Sequence, residues 1–201
     1  MDREEAAKHA GVIPESNLNA FLEYLVQYPG LPKILGAPHE TEKRLQGDLF
    51  NALPCVHVNE RGEAKVATFV VAVINNTCDL EPGRSKFVNV APVFDFAAYG
   101  RSVIASRGEA SAQGFLANVR ANRVNELLFI SECPGYSNGV IVMLDHISSI
   151  SSKLYEEALA ANGRIASFSQ KGFYVFLLKI TKFLARAEPA EVIRAEIPIQ
   201  D

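Results

Sequence analysis

Positive charge is not in excess in this chain: 20 Lys and Arg stand against 23 Asp and Glu, for a net charge of -3 and a pI near 5.9. No global basic field is therefore available to drive binding to a phosphate backbone, and any nucleic-acid surface has to be local. Long apolar runs are missing too. The longest, Ala67 to Ile74 and Gly139 to Leu144, fall well short of the roughly 20 residues that span a bilayer, so no transmembrane helix and no membrane partner are expected. The amino-terminal MDREEAAKHAG mixes charges of both signs and has no apolar core, unlike a secretory signal, and a cytoplasmic location is expected. Cysteine is scarce: Cys55, Cys78 and Cys133 are odd in number and widely spaced, which fits neither a disulfide framework nor a CxxC clasp. Reduced thiols are expected. Four scattered histidines without HxH or HxxxH spacing give no metal set, and the glycine-rich phosphate loops are absent, so neither a metal nor any cofactor is expected.

What remains is an ordinary globular composition, 48% apolar and 21% charged over 201 residues, enough for one sizeable core. The pattern predicts an α+β fold. Residues 2 to 10 and 15 to 28 read as helices, the second carrying Leu18, Phe21, Leu22, Leu25 and Val26 on one face. Together with a connector they make an N-terminal helical extension, 1–46, ahead of a unit at 47–201. In that unit Asp48 to Val58 and the Val-rich Ala64 to Ile74, separated by Asn59-Glu60-Arg61-Gly62-Glu63, predict a β-hairpin. Strands at Phe87 to Val93, Glu126 to Ser131 and Val140 to Leu144 follow. The density of short strands suggests a curled meander or small barrel, interrupted by an insertion at 94–125 that holds a helix from about Ser111 to Asn122. Helices at Ser152 to Ala161 and Ser169 to Arg186 come next, and alternating apolar residues within 189–201 suggest an edge strand.

Three stretches in this order carry a resemblance: Gly47-Asp48-Leu49-Phe50; VVAVINNTCDL at 70–80 followed by FVNVAPV at 87–93; and VIVMLDHISSISSKLY at 140–155. They resemble the first-strand opening, the strand pair ending in Ala-Pro, and the late strand, turn and closing helix of the PemK and MazF toxins. The resemblance covers a little under half the chain, and it implies an SH3-like barrel and metal-independent cleavage of single-stranded RNA. The family's first hairpin loop and its following Arg-Pro are not visible, Lys65-Val66-Ala67-Thr68 standing in that strand. A second resemblance, through Thr77-Cys78-Asp79-Leu80, is to bacterial and phage-associated proteins that imply no particular activity.

The polar run Asn75-Asn76-Thr77-Cys78-Asp79 breaks out where a buried strand ends, a common place for a site on a rigid scaffold. The same residue types build Asx turns and helix caps, so the run also reads as plain turn chemistry. In an enzyme of the implied type, Thr77 and Asp79 orient the phosphate and the 2'-hydroxyl, Arg84 stabilises charge, and His57 or His146 moves protons. The picture requires the polar ends near 77 and 145 to meet on one rim. Cys78 as a nucleophile would need one of those histidines beside it. For RNA or DNA, Asn75 and Asn76 with Lys86, Arg101, Arg107, Arg120 and Arg123 are the candidate contacts, interleaved with Phe94, Phe96, Tyr99 and Phe115 as stacking partners or as core. The competing class is a non-catalytic module whose apolar C-terminal helix docks a protein partner or a second copy as a homodimer.

Overall fold

A computed structural model describes residues 34–36 and 43–184. The helices expected at 2–10 and 15–28 and the edge strand expected within 189–201 lie outside the described residues. Those described form an α+β fold: β1 (Leu35–Gly36), β2 (Leu49–Val58), β3 (Ala64–Val73), β4 (Phe87–Asp95), α1 (Phe96–Arg107), α2 (Glu109–Arg120), β5 (Leu127–Ile130), β6 (Val140–Met143), β7 (Ser148–Ser151), α3 (Ser152–Ala160), β8 (Arg164–Phe168) and α4 (Gln170–Leu184). Every strand pairing is antiparallel, in the order β1-β8-β2-β3-β4-β6-β5, with β7 joined to β4.

Through the middle of the sheet the apolar runs are continuous because both faces are covered. Ala72 of β3 joins a core with Leu49, Leu128, Val142 and Phe176, while its neighbours Val71 and Val73 join a second with Phe50, Leu53, Tyr155 and Leu159. Side chains alternate faces along a strand, so consecutive residues feed different cores. Helix α4 covers the first core and α3 the second. A third core, Phe96, Val119, Leu127, Phe129 and Ile141, seats the α1–α2 hairpin on the far end of the sheet. Burying a side chain such as Phe50 or Phe176 stabilises the fold by about 1.5–3 kcal/mol, and both are fully buried.

By backbone pairing the sheet does not close: among the described strands it ends at β1 on one side and β5 on the other. The reason lies in β4, which gives Phe87 to Val90 to β7 and Val93 to Asp95 to β6, so its two halves serve different neighbours. Across the remaining gap a side chain does what a ladder would. The Ser148 hydroxyl accepts from the Val56 N–H at 3.0 Å and donates to the Val56 carbonyl at 3.2 Å, tying β7 to β2.

Two departures from the sequence reading matter for the site. The insertion holds two helices rather than one, because Asp95 caps α1 by accepting from the N–H groups of Ala97 and Ala98 at 3.4 and 3.0 Å, and Gly108, at φ 76°, turns the chain into α2. Strands β7 and β8 carried little β signal, since Ser-Ser-Ile-Ser and Arg-Ile-Ala-Ser-Phe are short and polar.

The Gly-Asp opening of β2 is a structural corner. Gly47 has φ 86°, and a Cβ there would sit 2.5 Å from the Phe168 ring. Asp48 is fully buried, accepts from the Leu45 N–H at 3.2 Å, and pairs with the guanidinium of Arg164 at 3.0 Å. Past this corner β2 bulges between Phe50 and Leu53, with Ala52 at φ 58°, and the distal part of the hairpin runs out with both faces largely exposed. A bulge bends its strand, and this one separates the part of β2 that pairs with β8 from the arm that carries His57.

Candidate active site

His57 stands opposite Lys65 on the exposed arm of β2, and His146 lies in the turn between β6 and β7. Far apart in sequence, they meet in space. Their rings stack with centroids 5.5 Å apart and planes 13° from parallel. His146 Nδ1 lies 2.8 Å from the Asp145 carboxylate. With its Nδ1–H donated there, the neutral ring presents Nε2 as an acceptor, the state a general base requires.

Both rings line a cleft of about 420 Å³. Val56, Phe69, Phe94 and Met143 contribute apolar walls, and Tyr99 and Ser102 of α1 contribute hydroxyl groups. Phe69 and Phe94 pack on each other with ring centroids 5.2 Å apart. Burial first, then the nearby Asp145 and Glu126 charges, raise the Tyr99 phenol against the opposing pull of Arg107, so it stays protonated at neutral pH. Cys55 lines the same cleft, but burial pushes its thiol up, and a protonated thiol is no nucleophile.

The other expected site residues fall elsewhere. The Asn75 side chain accepts from the Asn89 N–H, Asn76 accepts from the Cys78 N–H at 3.3 Å, and Thr77 accepts from the Gln46 N–H at 3.1 Å. All three knit the 3-10 turn Thr77–Leu80 and its approach. Asp79 lines a separate cavity of about 220 Å³ with Glu81, Ser85, Lys153, Tyr155 and Glu156. His57 faces the start of β3, while Thr77 follows its end, and neither described cavity holds both polar sets. Cys78 is exposed on the 77–80 turn and does not line the histidine cleft.

Arg84, Lys86, Arg101, Arg107, Arg120 and Arg123 are all exposed. Arg107 stacks over Phe115 at 4.3 Å and Arg120 over Phe96 at 4.9 Å, geometry that spreads each guanidinium on the helical hairpin. Of the expected stacking aromatics, Phe96 is core, packed edge-on against Phe129 at 4.9 Å, whereas Phe94 and Tyr99 reach the cleft. Ser102 escaped the sequence reading. The signal for it is its spacing of four from Ala98, which puts both on one helical face, but α1 itself was not predicted.

Among the described residues no group of three or more His, Cys, Asp and Glu gathers as metal ligands, Cys55, Cys78 and Cys133 are all free thiols, and no helix is long and apolar enough to cross a membrane. Compared with known proteins, the chain matches no protein-family model and no curated protein.

Proposed function

We propose that this chain is a nucleic-acid-interacting protein of the PemK and MazF type, an SH3-like barrel that cleaves single-stranded RNA without metal and uses His57 and His146 to move protons. The observation that carries the reading is the stacked histidine pair with Asp145 behind one ring, set in an apolar cleft. The Ser148 bridge from β7 to β2 supports the barrel. One ring takes the proton from a ribose 2'-hydroxyl as its oxygen attacks phosphorus. The other gives a proton to the departing 5'-oxygen, leaving a 2',3'-cyclic phosphate, and no water or metal enters the balance. His146, oriented through Nδ1, is the base and His57 the acid.

Incubating the purified chain with labelled single-stranded RNA tests the reading. Cleavage persists in chelator, yields cyclic-phosphate ends, and falls by about 10²–10⁴-fold in His57→Ala and in His146→Ala with unchanged melting temperature. Asp79→Ala separates the two polar sets: loss of cleavage there, with both histidine variants active, moves the chemistry to the turn after β3. No cleavage and no RNA binding by the wild type favours the non-catalytic module. That alternative has less to stand on, because Phe176 and Ile180 of α4 are buried in the sheet core rather than offered to a partner.

A further inference from the structure

Helix α1 is built into the wall of the histidine cleft by anchors that have nothing to do with chemistry. Asp95 caps its first turn, Phe96 packs on Phe129, and Gly100 is buried facing Leu116 of α2. Phe96, Gly100 and Val103 face inward. Tyr99 and Ser102 lie together on one flank of that inward face and are thereby held on the cleft. The sheet side of the cleft offers mainly apolar surface and the two imidazoles, so α1 supplies the hydroxyl groups that can donate to or accept from the edge of a flat ligand.

We infer that the cleft takes one unpaired nucleobase of a single-stranded RNA, and that Tyr99 and Ser102 decide which base is accepted. This rests on the ribonuclease reading for its substrate class. An apolar slot of about 420 Å³ is in the range of small-ligand sites. Single-stranded RNA is read by holding an unstacked base against aromatic surface and hydrogen-bonding its edge. Phe69 and Phe94 give the first element, and the Tyr99 and Ser102 hydroxyls the second. The selectivity is thus carried by the segment inserted between β4 and β5, while the proton transfer is carried by β2 and the β6–β7 turn.

The test has a binding arm and a cleavage arm. Each of the four nucleoside 3'-monophosphates is titrated into the chain while the imidazole resonances of His57 and His146 are followed by NMR, and cleavage sites are mapped on a mixed-sequence single-stranded RNA. The expected result is a preference for one base in both arms, reduced on the order of tenfold in Ser102→Ala and in Tyr99→Phe for each hydrogen bond lost. The control Ser106→Ala, whose hydroxyl bonds the Val103 carbonyl on the same helix, leaves the preference intact. Equal affinity for all four nucleotides, or a preference that survives both variants, overturns the inference. Cleavage without base selectivity keeps the ribonuclease reading and sinks this one. Base-selective binding without cleavage does the reverse.

Discussion

Asp48 and Asp145 each hold a nitrogen-bearing side chain, Arg164 and His146, in opposite surroundings. The Asp48–Arg164 pair is closed off, with side chains 0% and 5% exposed and 3.0 Å apart; the Asp145–His146 pair, 2.8 Å apart, leaves its side chains 39% and 36% exposed. A buried pair takes two ions out of water and repays the cost only through good geometry, so it holds the structure hostage to both partners. An exposed pair is screened and adds little to stability. The first is therefore a device of the fold, joining the corner before β2 to β8, and the second is free to serve orientation. The Arg164 guanidinium strengthens this division, since it also donates to the Lys43 carbonyl and lies 5.8 Å from the centre of the Phe50 ring.

The harshest way to break the comparison is Asp48→Ala. It leaves the Arg164 charge buried, and the expected loss is about 3–5 kcal/mol of unfolding free energy, read in a urea titration. A loss below about 1 kcal/mol would put the two pairs in the same class.

Lys179 sharpens the comparison from the other side, as a buried cation held by carbonyls. Its ammonium donates to Asn122 at 2.9 Å and to the Val124 carbonyl, pinning α4 to the chain that leaves α2. Burial, followed by the Lys182 charge and partly offset by Glu126, lowers its pKa to about 8. The folded chain then gives up this proton before the unfolded chain does, near 10.4, so the unfolded state binds more protons in between and stability rises with pH across that window. At pH 9.5 the Lys179 contribution should be about 2 kcal/mol more favourable than at pH 7. The gap between wild type and Lys179→Met in urea unfolding should move by that amount in favour of the wild type. A gap that stays constant with pH would show the ammonium to be solvated.

The same contrast separates what could be read in the sequence from what could not. The arm and central strands were legible because local chemistry writes them: the apolar stretches at 70–73 and 140–143 each feed two cores at once, and Asn59, whose side chain accepts from the N–H groups of Arg61 and Glu63 at 3.0 and 2.9 Å, closes the hairpin turn. Ser169 as the cap of α4 was legible for the same reason, its hydroxyl accepting from Gly172 at 3.0 Å. Strand β8 was not, because Arg164 earns its place through Asp48, far away in sequence. The histidines were visible as candidates, but only the path β2-β3-β4 with β7 on β4 brings them face to face. Ser102 was invisible until α1 existed. Turn chemistry at 75–79 advertised itself most loudly, and the fold spends Asn75, Asn76 and Thr77 on backbone hydrogen bonds.

The mildest substitution for stability should be the most telling for chemistry. Asp145→Asn keeps an oxygen that can accept from His146 Nδ1 while removing the charge, and at this exposure the unfolding free energy should change by less than about 0.5 kcal/mol. An amide can also turn its NH₂ toward the ring, and a ring that accepts at Nδ1 carries its proton on Nε2, where the base must be bare. On the proposed ribonuclease reading, cleavage should therefore fall through kcat, by about 10–100-fold on the scale seen when a partner that orients an imidazole is lost, while KM for single-stranded RNA stays within about twofold, since that reading gives Asp145 no phosphate or base contact. Following the His146 ring nitrogens by NMR shows the change directly: Nδ1 protonated in the wild type, a mixture of tautomers in the variant. If kcat is unchanged and only the melting temperature drops, Asp145 belongs with Asp48 as a prop of the fold, and the base must be sought in the other ring.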